Sequence, residues 1–215
     1  MNQRRVIFWL LCCSLALPNI SACAKPQQGI APLPEVLVGI AGFSQPQNSH
    51  ELLAGYMAEN IPRIDTKIFP QLDDMLMQTL RKNTKRPYTD RQTFQQCKNT
   101  KAPGEEKGRI AAIHHWRAVG ECMQVDFLLV PQVLYLQERE GSEMGVVNPA
   151  RILMDIFLID IRNQNIMRSH YDETQTPLSE NLLHAKKFIE RGGKWVTSLV
   201  LAREGMEKAI RELGL

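Results

Sequence analysis

Three long apolar runs constrain what this chain can fold into. They cover residues 35–43 (EVLVGIAGF), 126–137 (DFLLVPQVLYLQ) and 151–161 (RILMDIFLIDI). The first run is nearly continuous and rich in β-branched residues, which predicts a strand that is buried on both faces. The other two predict further strands, and Pro131 inside the second requires a bulge or an edge position.

Helical periodicity fills much of the remaining chain. Apolar residues recur at helical spacing in four segments, at 70–83, 106–123, 179–191 and 194–213. Residues 163–165 (NQN) are typical of a turn, which predicts a hairpin between the strand at 151–161 and a further strand at 166–174. The order strand, helices, strand, strand, strand, helices predicts one α/β or α+β domain at residues 35–215, in which helices cover a mixed β-sheet.

The first residues have the order of a secretory signal peptide. Arg4 and Arg5 precede an apolar run at residues 6–17, and Pro18 ends it. This run of twelve residues is well short of the roughly 20 that a membrane-spanning helix needs, which favours a cleaved signal over the alternative of an uncleaved amino-terminal anchor.

Two cleavage positions compete. Residues 20–23 (ISAC) resemble the bacterial lipobox, in which a lipid is attached to the cysteine and cleavage leaves that cysteine first. This resemblance implies a signal peptide at residues 1–22, a lipidated Cys23 and a flexible tether at 23–34. In such lipoproteins Ala24 implies passage to the outer membrane, with the domain in the periplasm. Alternatively, Ala22 and Ala24 satisfy the small-x-small rule for ordinary signal peptidase, which would release a soluble chain from Lys25.

The charge balance argues against a nucleic-acid partner. The full chain carries a formal charge of +3, and removal of residues 1–22 leaves 24 basic and 23 acidic residues. Proteins that bind nucleic acid neutralise phosphates with many lysines and arginines, and we identify no such cluster in the mature sequence. We therefore predict no contact with nucleic acid.

Cysteine usage agrees with export from the cytoplasm. Cys12 and Cys13 leave with the signal and Cys23 takes the lipid, so Cys97 and Cys122 remain as a pair. An oxidising compartment favours a disulfide between them, which would stabilise the fold by about 3–4 kcal/mol. The alternative is two free, buried thiols that pack as small apolar side chains.

No catalytic or metal-binding motif is present. The sequence has no nucleophile elbow, phosphate-binding loop, dinucleotide fingerprint or zinc-protease helix. Asp155 and Asp160 lie five apart on a predicted strand and therefore point to opposite faces, so they cannot pair as acid and base. His114 and His115 are adjacent and diverge on a helix, and His170 has no evident partner. We predict no enzymatic activity, no cofactor and no metal.

Short motifs suggest a family. Residues 120–130 (GECMQVDFLLV) join the end of a predicted helix to a strand, and 159–164 (IDIRNQ) precede a hairpin turn. This layout resembles the domain of envelope lipoproteins related to the curli-secretion lipoprotein, the TolB amino-terminal domain and the lipoprotein activators of penicillin-binding proteins. The hairpin motif matches loosely, because the glycine of the family is missing. The resemblance implies proteins that scaffold, bind envelope partners or oligomerise, mostly without catalysis.

Two functions follow as hypotheses. The first is a membrane-anchored envelope lipoprotein that acts as a non-catalytic interaction or assembly module, binding a protein partner or a second copy. It predicts an exposed apolar patch on a short amphipathic helix at 50–58, formed by Leu52, Leu53, Tyr56 and Met57. The alternative is a soluble periplasmic domain that binds or acts on a small envelope ligand in a concave pocket.

Overall fold

The computed structural model describes residues 36–48, 51–55, 61–89, 91–100, 108–176 and 185–215. The strands are β1 (Val38–Ile40), β2 (Phe127–Gln137), β3 (Glu140–Gly141), β4 (Val146–Asn148), β5 (Arg151–Asp160) and β6 (Ile166–Thr174). The helices are α1 (Phe69–Asn83), α2 (Arg91–Cys97), α3 (Arg109–Cys122), α4 (Ala185–Glu190) and α5 (Ser198–Leu213), and a 3-10 turn at Thr66–Ile68 precedes α1.

Four strands form a mixed sheet in the order β1-β2-β5-β6. β1 is parallel to β2, whereas β2, β5 and β6 are successively antiparallel. The ladder between β2 and β5 shifts register between Val133 and Tyr135, two residues after Pro131, where the sequence predicted an irregularity. The remaining strands, β3 and β4, pair as a separate hairpin.

Helices pack on both faces of the sheet. The α1–α5 face carries a core of aliphatic side chains, among them Leu72, Leu129, Ile156 and Leu201. The α2–α3 face carries a second core that includes Phe94, Trp116, Leu128, Phe157 and Ile159. Successive residues of a strand point to opposite faces, so β5 contributes to both cores and must be apolar at nearly every position. The predicted mixed sheet with helices on its faces is confirmed.

The helix bounds differ from the predicted ones mainly at their ends. α1 and α3 fall within a few residues of the prediction. α5 begins at Ser198 and not at 194, because the Thr197 side chain accepts a hydrogen bond from the Val200 N–H and caps the helix. Residues 51–55 form turns and bends in place of the helix predicted at 50–58. Among the described residues, no helix combines the length and hydrophobicity that a membrane span requires.

A disulfide joins the ends of α2 and α3. Cys97 and Cys122 are bonded, with their Cα atoms 5.7 Å apart. The structure therefore contains the bridge and not the alternative of two free thiols. Beside it, the rings of Phe94 and Trp116 stack with centroids 6.4 Å apart. The bridge and this ring pair hold α2 against α3 on the α2–α3 face.

Replacing both bridge cysteines with alanine is expected to lower the free energy of unfolding by about 3 kcal/mol, because the unfolded chain regains the conformations that the bridge excludes. Urea unfolding of the variant and of the native protein, each with and without a reductant, measures the difference. Reduction should lower the midpoint of the native protein only. A native protein that is insensitive to reductant would contradict a stabilising bridge.

Candidate functional site

A buried carboxylate lies on the α2–α3 face of the sheet. Asp155 on β5 has no exposed surface, and the Arg168 guanidinium on β6 donates two hydrogen bonds of 2.9 Å to it. The Nδ1 atom of His170 lies 2.7 Å from Asp155 Oδ1. His170 is directly opposite Asp155 in the β5–β6 register, whereas the sequence alone suggested no partner for this histidine. Strand register, and not sequence proximity, brings these groups together.

A loop is fastened over the neighbouring part of the same face. Gln132 on β2 is opposite Asp155, and its Nε2 donates a 2.8 Å hydrogen bond to the Glu51 carbonyl. The Leu53 N–H points toward the Oε1 atom of the same Gln132 side chain, 3.5 Å away. The loop thereby buries Leu52 and Leu53, whose exposed fractions are 4% and 5%.

This burial corrects the prediction that both leucines form an exposed partner surface. The two leucines pack inward because a buried side-chain amide on the sheet needs backbone partners and the loop supplies them. Tyr56 and Met57, the other two residues of the predicted patch, lie outside the described residues.

The Asp155 cluster does not form a catalytic triad. A histidine oriented by a carboxylate can act as a base only when a nucleophile lies within hydrogen-bond reach of the ring. Within the part of the chain that the structure describes, no serine, threonine or cysteine side chain hydrogen-bonds to His170.

Asp160 accepts hydrogen bonds from the backbone N–H groups of Arg162 and Asn163, so it holds the β5–β6 turn as expected. The described residues also contain no group of three potential metal ligands.

The two most exposed large apolar side chains among the described residues lie on the β3–β4 hairpin. Met144 and Val147 on the hairpin are 81% and 83% exposed, and Ile189 on the nearby α4 is 69% exposed. We call these three residues the hairpin surface. From sequence alone the segment 138–149 looks like a polar loop, because its charged residues and glycines outnumber its apolar ones. The sequence MGVV at 144–147 could have indicated this surface, because it places apolar residues beside a glycine in an otherwise polar loop.

The hairpin is held in place by its neighbours. The Trp195 N–H donates a 2.9 Å hydrogen bond to the Glu143 carbonyl, and Lys194 Nζ lies 2.9 Å from the Glu143 carboxylate. The half-buried Trp195 ring meets Phe188 of α4 edge to face, with centroids 5.9 Å apart. Gly141 has a φ of 122°, and a Cβ there would lie 2.5 Å from the Gly145 carbonyl oxygen, so the tight turn requires glycine.

A small cavity lies at the carboxyl end of β1. Its volume is about 170 Å³, and charged residues of both signs line it, including Asp73, Asp74, Arg81 and Arg91. Burial raises the pKa of Asp73 above its usual value, although a hydrogen bond from the Phe43 N–H and the charge of Arg91 oppose this effect. Because the protein itself occupies both carboxylate oxygens of Asp73, the cavity offers few free polar groups to a ligand.

Comparison with known proteins yields similarity to solved structures only. No protein-family description and no curated protein matches the chain. The chain is similar to PelC from Paraburkholderia phytofirmans, solved as a dodecamer, with 12% identity over 86% of this chain and 93% of that chain and a TM-score of 0.46. It is similar to the LpoB C-terminal domain from Salmonella enterica, with 10% identity over 69% and 87% of the respective chains and a TM-score of 0.39. The hypothetical protein CT253 from Chlamydia trachomatis has 13% identity over 82% and 94%, with a TM-score of 0.39.

Proposed function

We propose that this protein is an envelope lipoprotein, attached to the outer membrane through Cys23, whose domain acts as a non-catalytic interaction module in the periplasm. Residues 1–22 are its signal peptide, 23–34 its tether and 35–215 its folded domain. The observation that carries the interaction role is the hairpin surface: Met144 and Val147 are the two most exposed large apolar side chains among the described residues, and the hairpin that bears them is held by its neighbours.

Two independent features support the location. The signal-like run at residues 6–17 and the lipobox-like ISAC at 20–23 predict export and lipidation. The Cys97–Cys122 disulfide fits an exported domain, because reducing systems keep thiols free in the cytosol. Several acyl chains on one cysteine would anchor the chain durably, at about 0.8 kcal/mol per buried methylene.

The hairpin surface has the composition of a protein interface. Such interfaces have an apolar centre with methionine and aromatic residues and a polar rim. Here the half-buried Phe188 and Trp195 lie behind the hairpin, and the Glu143–Lys194 ion pair lies at its edge. The hairpin needs no rearrangement to present its side chains, so binding would cost little ordering entropy. We assign this surface to a protein partner in the envelope.

The double substitution Met144→Glu and Val147→Glu is expected to abolish partner binding without unfolding the domain, because both side chains are almost fully exposed. A photo-reactive residue placed at position 140 in native and variant proteins would report contacts by cross-linking in intact envelopes. We expect the yield of adduct to be at least about tenfold lower in the variant than in the native protein. A tenfold loss of affinity corresponds to about 1.4 kcal/mol, which is typical of substitutions at the centre of an interface.

The matched control is Gln95→Glu and Gln96→Glu, which adds the same charge at exposed positions of α2. The control should retain the adducts of the native protein. Equal cross-linking in the hairpin variant and the control would contradict the assignment. An adduct with twice the mass of the chain would identify the partner as a second copy.

A small ligand is the alternative hypothesis, and the cavity beside Asp73 and Arg91 is the place where it would bind. A volume of about 170 Å³ is below the several hundred Å³ typical of drug-sized ligands, so only a small molecule with charges of both signs would fit. A bound small molecule in the native mass spectrum of protein purified from envelopes would favour this alternative.

A further inference from the structure

Positive charge is concentrated in one stretch of the chain. Residues 81–98 contain six basic residues and one acidic residue, whereas the rest of the chain from residue 23 onward contains 18 basic and 22 acidic residues. The near-neutral total charge of the chain hides this asymmetry. We call Arg81, Lys82, Lys85 and Arg86 the basic surface. The side chains of Arg81, Lys82 and Lys85 are exposed.

The fold places the basic surface beside the point where the chain enters the domain. After α1 ends, the chain returns along β1, where Tyr88 pairs with Val38 and the Thr89 N–H donates to the Val38 carbonyl. Lys85 and Arg86 therefore lie next to residues 36–37, and together they line an open groove of about 590 Å³. This groove lies at the start of the described domain, just after the predicted tether.

Another basic residue lies at the same end of the sheet. The Asp126 carboxylate accepts the Leu37 N–H, and the exposed Arg162 of the β5–β6 turn lies 2.8 Å from the same carboxylate. The hairpin surface lies at the opposite end, because β2 runs from Phe127, beside Leu37, to Gln137, just before the hairpin. An eleven-residue strand separates the two ends by roughly 35 Å.

We propose that the basic surface binds the anionic phospholipid headgroups of the leaflet that holds the lipidated Cys23. This inference rests on the proposed lipid anchor. Val36 is thirteen residues from Cys23, so even a fully extended tether reaches only about 45 Å and keeps the domain near the bilayer. Contact through the basic surface turns the hairpin surface away from the membrane, toward partners in the periplasm.

The strength of this contact follows from general membrane electrostatics. Each lysine or arginine near an anionic leaflet raises the binding constant about fivefold, and the effect fades within a Debye length of roughly 10 Å. The three exposed residues of the basic surface lie close together because Arg81 and Lys82 occupy the last turn of α1 and Lys85 follows soon after it. The return of the chain along β1 places Lys85 beside the start of the domain. We therefore expect binding that depends on anionic lipid and weakens with salt.

The test uses the chain from residue 23 to 215 with Cys23→Ser, so that no acyl chain contributes to binding. Co-sedimentation is measured with vesicles of phosphatidylcholine, with and without phosphatidylglycerol. The test variant adds Lys82→Glu and Lys85→Glu. The control adds Lys67→Glu and Arg203→Glu, the same charge change at exposed positions outside the basic surface.

We expect the chain that carries only Cys23→Ser, and the control, to bind anionic vesicles. The test variant should bind at least about 25-fold more weakly, because it loses two contacts that each contribute about fivefold. Equal binding by the test variant and the control, or equal binding to both vesicle types, would overturn the inference. Binding to soluble polyglutamate without binding to anionic vesicles would also overturn it and assign the surface to an acidic protein. Because the acyl chain is absent from this experiment, its outcome is separate from that of the lipidation test.

Discussion

Replacing Cys23 with serine is expected to move the protein from the membrane fraction to the soluble fraction or to leave its signal peptide uncleaved. If Cys23 carries the lipid, as proposed, its thiol is the acceptor and a serine cannot replace it. One acyl chain holds a protein on a bilayer only marginally, whereas several chains hold it durably, at about 0.8 kcal/mol per buried methylene. Loss of the lipid therefore removes the durable anchor in one substitution and leaves only the weaker, salt-dependent contact of the basic surface.

The intact mass of the native protein, purified from envelopes without reductant, provides the direct measurement. We expect the mass of residues 23–215 plus acyl chains, minus two hydrogens for the disulfide. The double variant Cys97→Ala and Cys122→Ala serves as the control, since it also removes cysteines but should keep the lipid and stay in the membrane fraction. A bare native chain that begins at Lys25 would show ordinary secretion and would favour the ligand-binding alternative.

Substituting Arg191 with methionine is expected to lower the free energy of unfolding by about 4 kcal/mol, as for removal of one partner from a buried ion pair. The Arg191 side chain is only 7% exposed and contacts the carboxylates of Glu173 and Glu204 at 2.9 and 2.6 Å. The Tyr171 hydroxyl donates a further hydrogen bond to Glu204. The substitution leaves two partly buried carboxylates side by side and loosens α4 from β6 and α5.

The free energy of unfolding of the native protein should decrease at low pH. Burial alone would raise the pKa of Glu204, but hydrogen bonds from Arg191 and Tyr171 and the charge of Arg191 hold it below its usual value of 4.5. A lowered pKa stabilises the folded state above pH 4.5, and this stabilisation disappears as the pH falls through the folded value. Urea unfolding of native protein from pH 7 downward should therefore show a decline below pH 4.5 that is smaller in the Arg191→Met variant.

Arg203→Met is the control, because Arg203 is exposed on α5. Its free energy of unfolding should stay within about 0.5 kcal/mol of the native value. If Arg191→Met and Arg203→Met have equal stability, the ion-pair network does not hold α4 in place.

The confirmed predictions concern long segments in which nearly every residue is buried. β2 and β5 are apolar at nearly every position because both faces of each strand are covered, and such runs are visible without any knowledge of the partners. The predictions that were corrected concern single residues whose environment is set from afar. Leu52 and Leu53 look like one side of an amphipathic helix, but Gln132, some eighty residues away, fixes their loop on the sheet.

The sequence by itself determined the mixed sheet with helices on both faces and supplied the cysteine pair, because apolar periodicity reflects local burial and two cysteines allow one pairing. It also contains the signal-like and lipobox-like residues on which the proposed location depends. Only the tertiary structure decided that His170 meets Asp155, that the hairpin exposes Met144 and Val147, and that the basic surface adjoins the start of the domain. These arrangements depend on strand register and on contacts between distant segments, which leave no periodic trace in the chain.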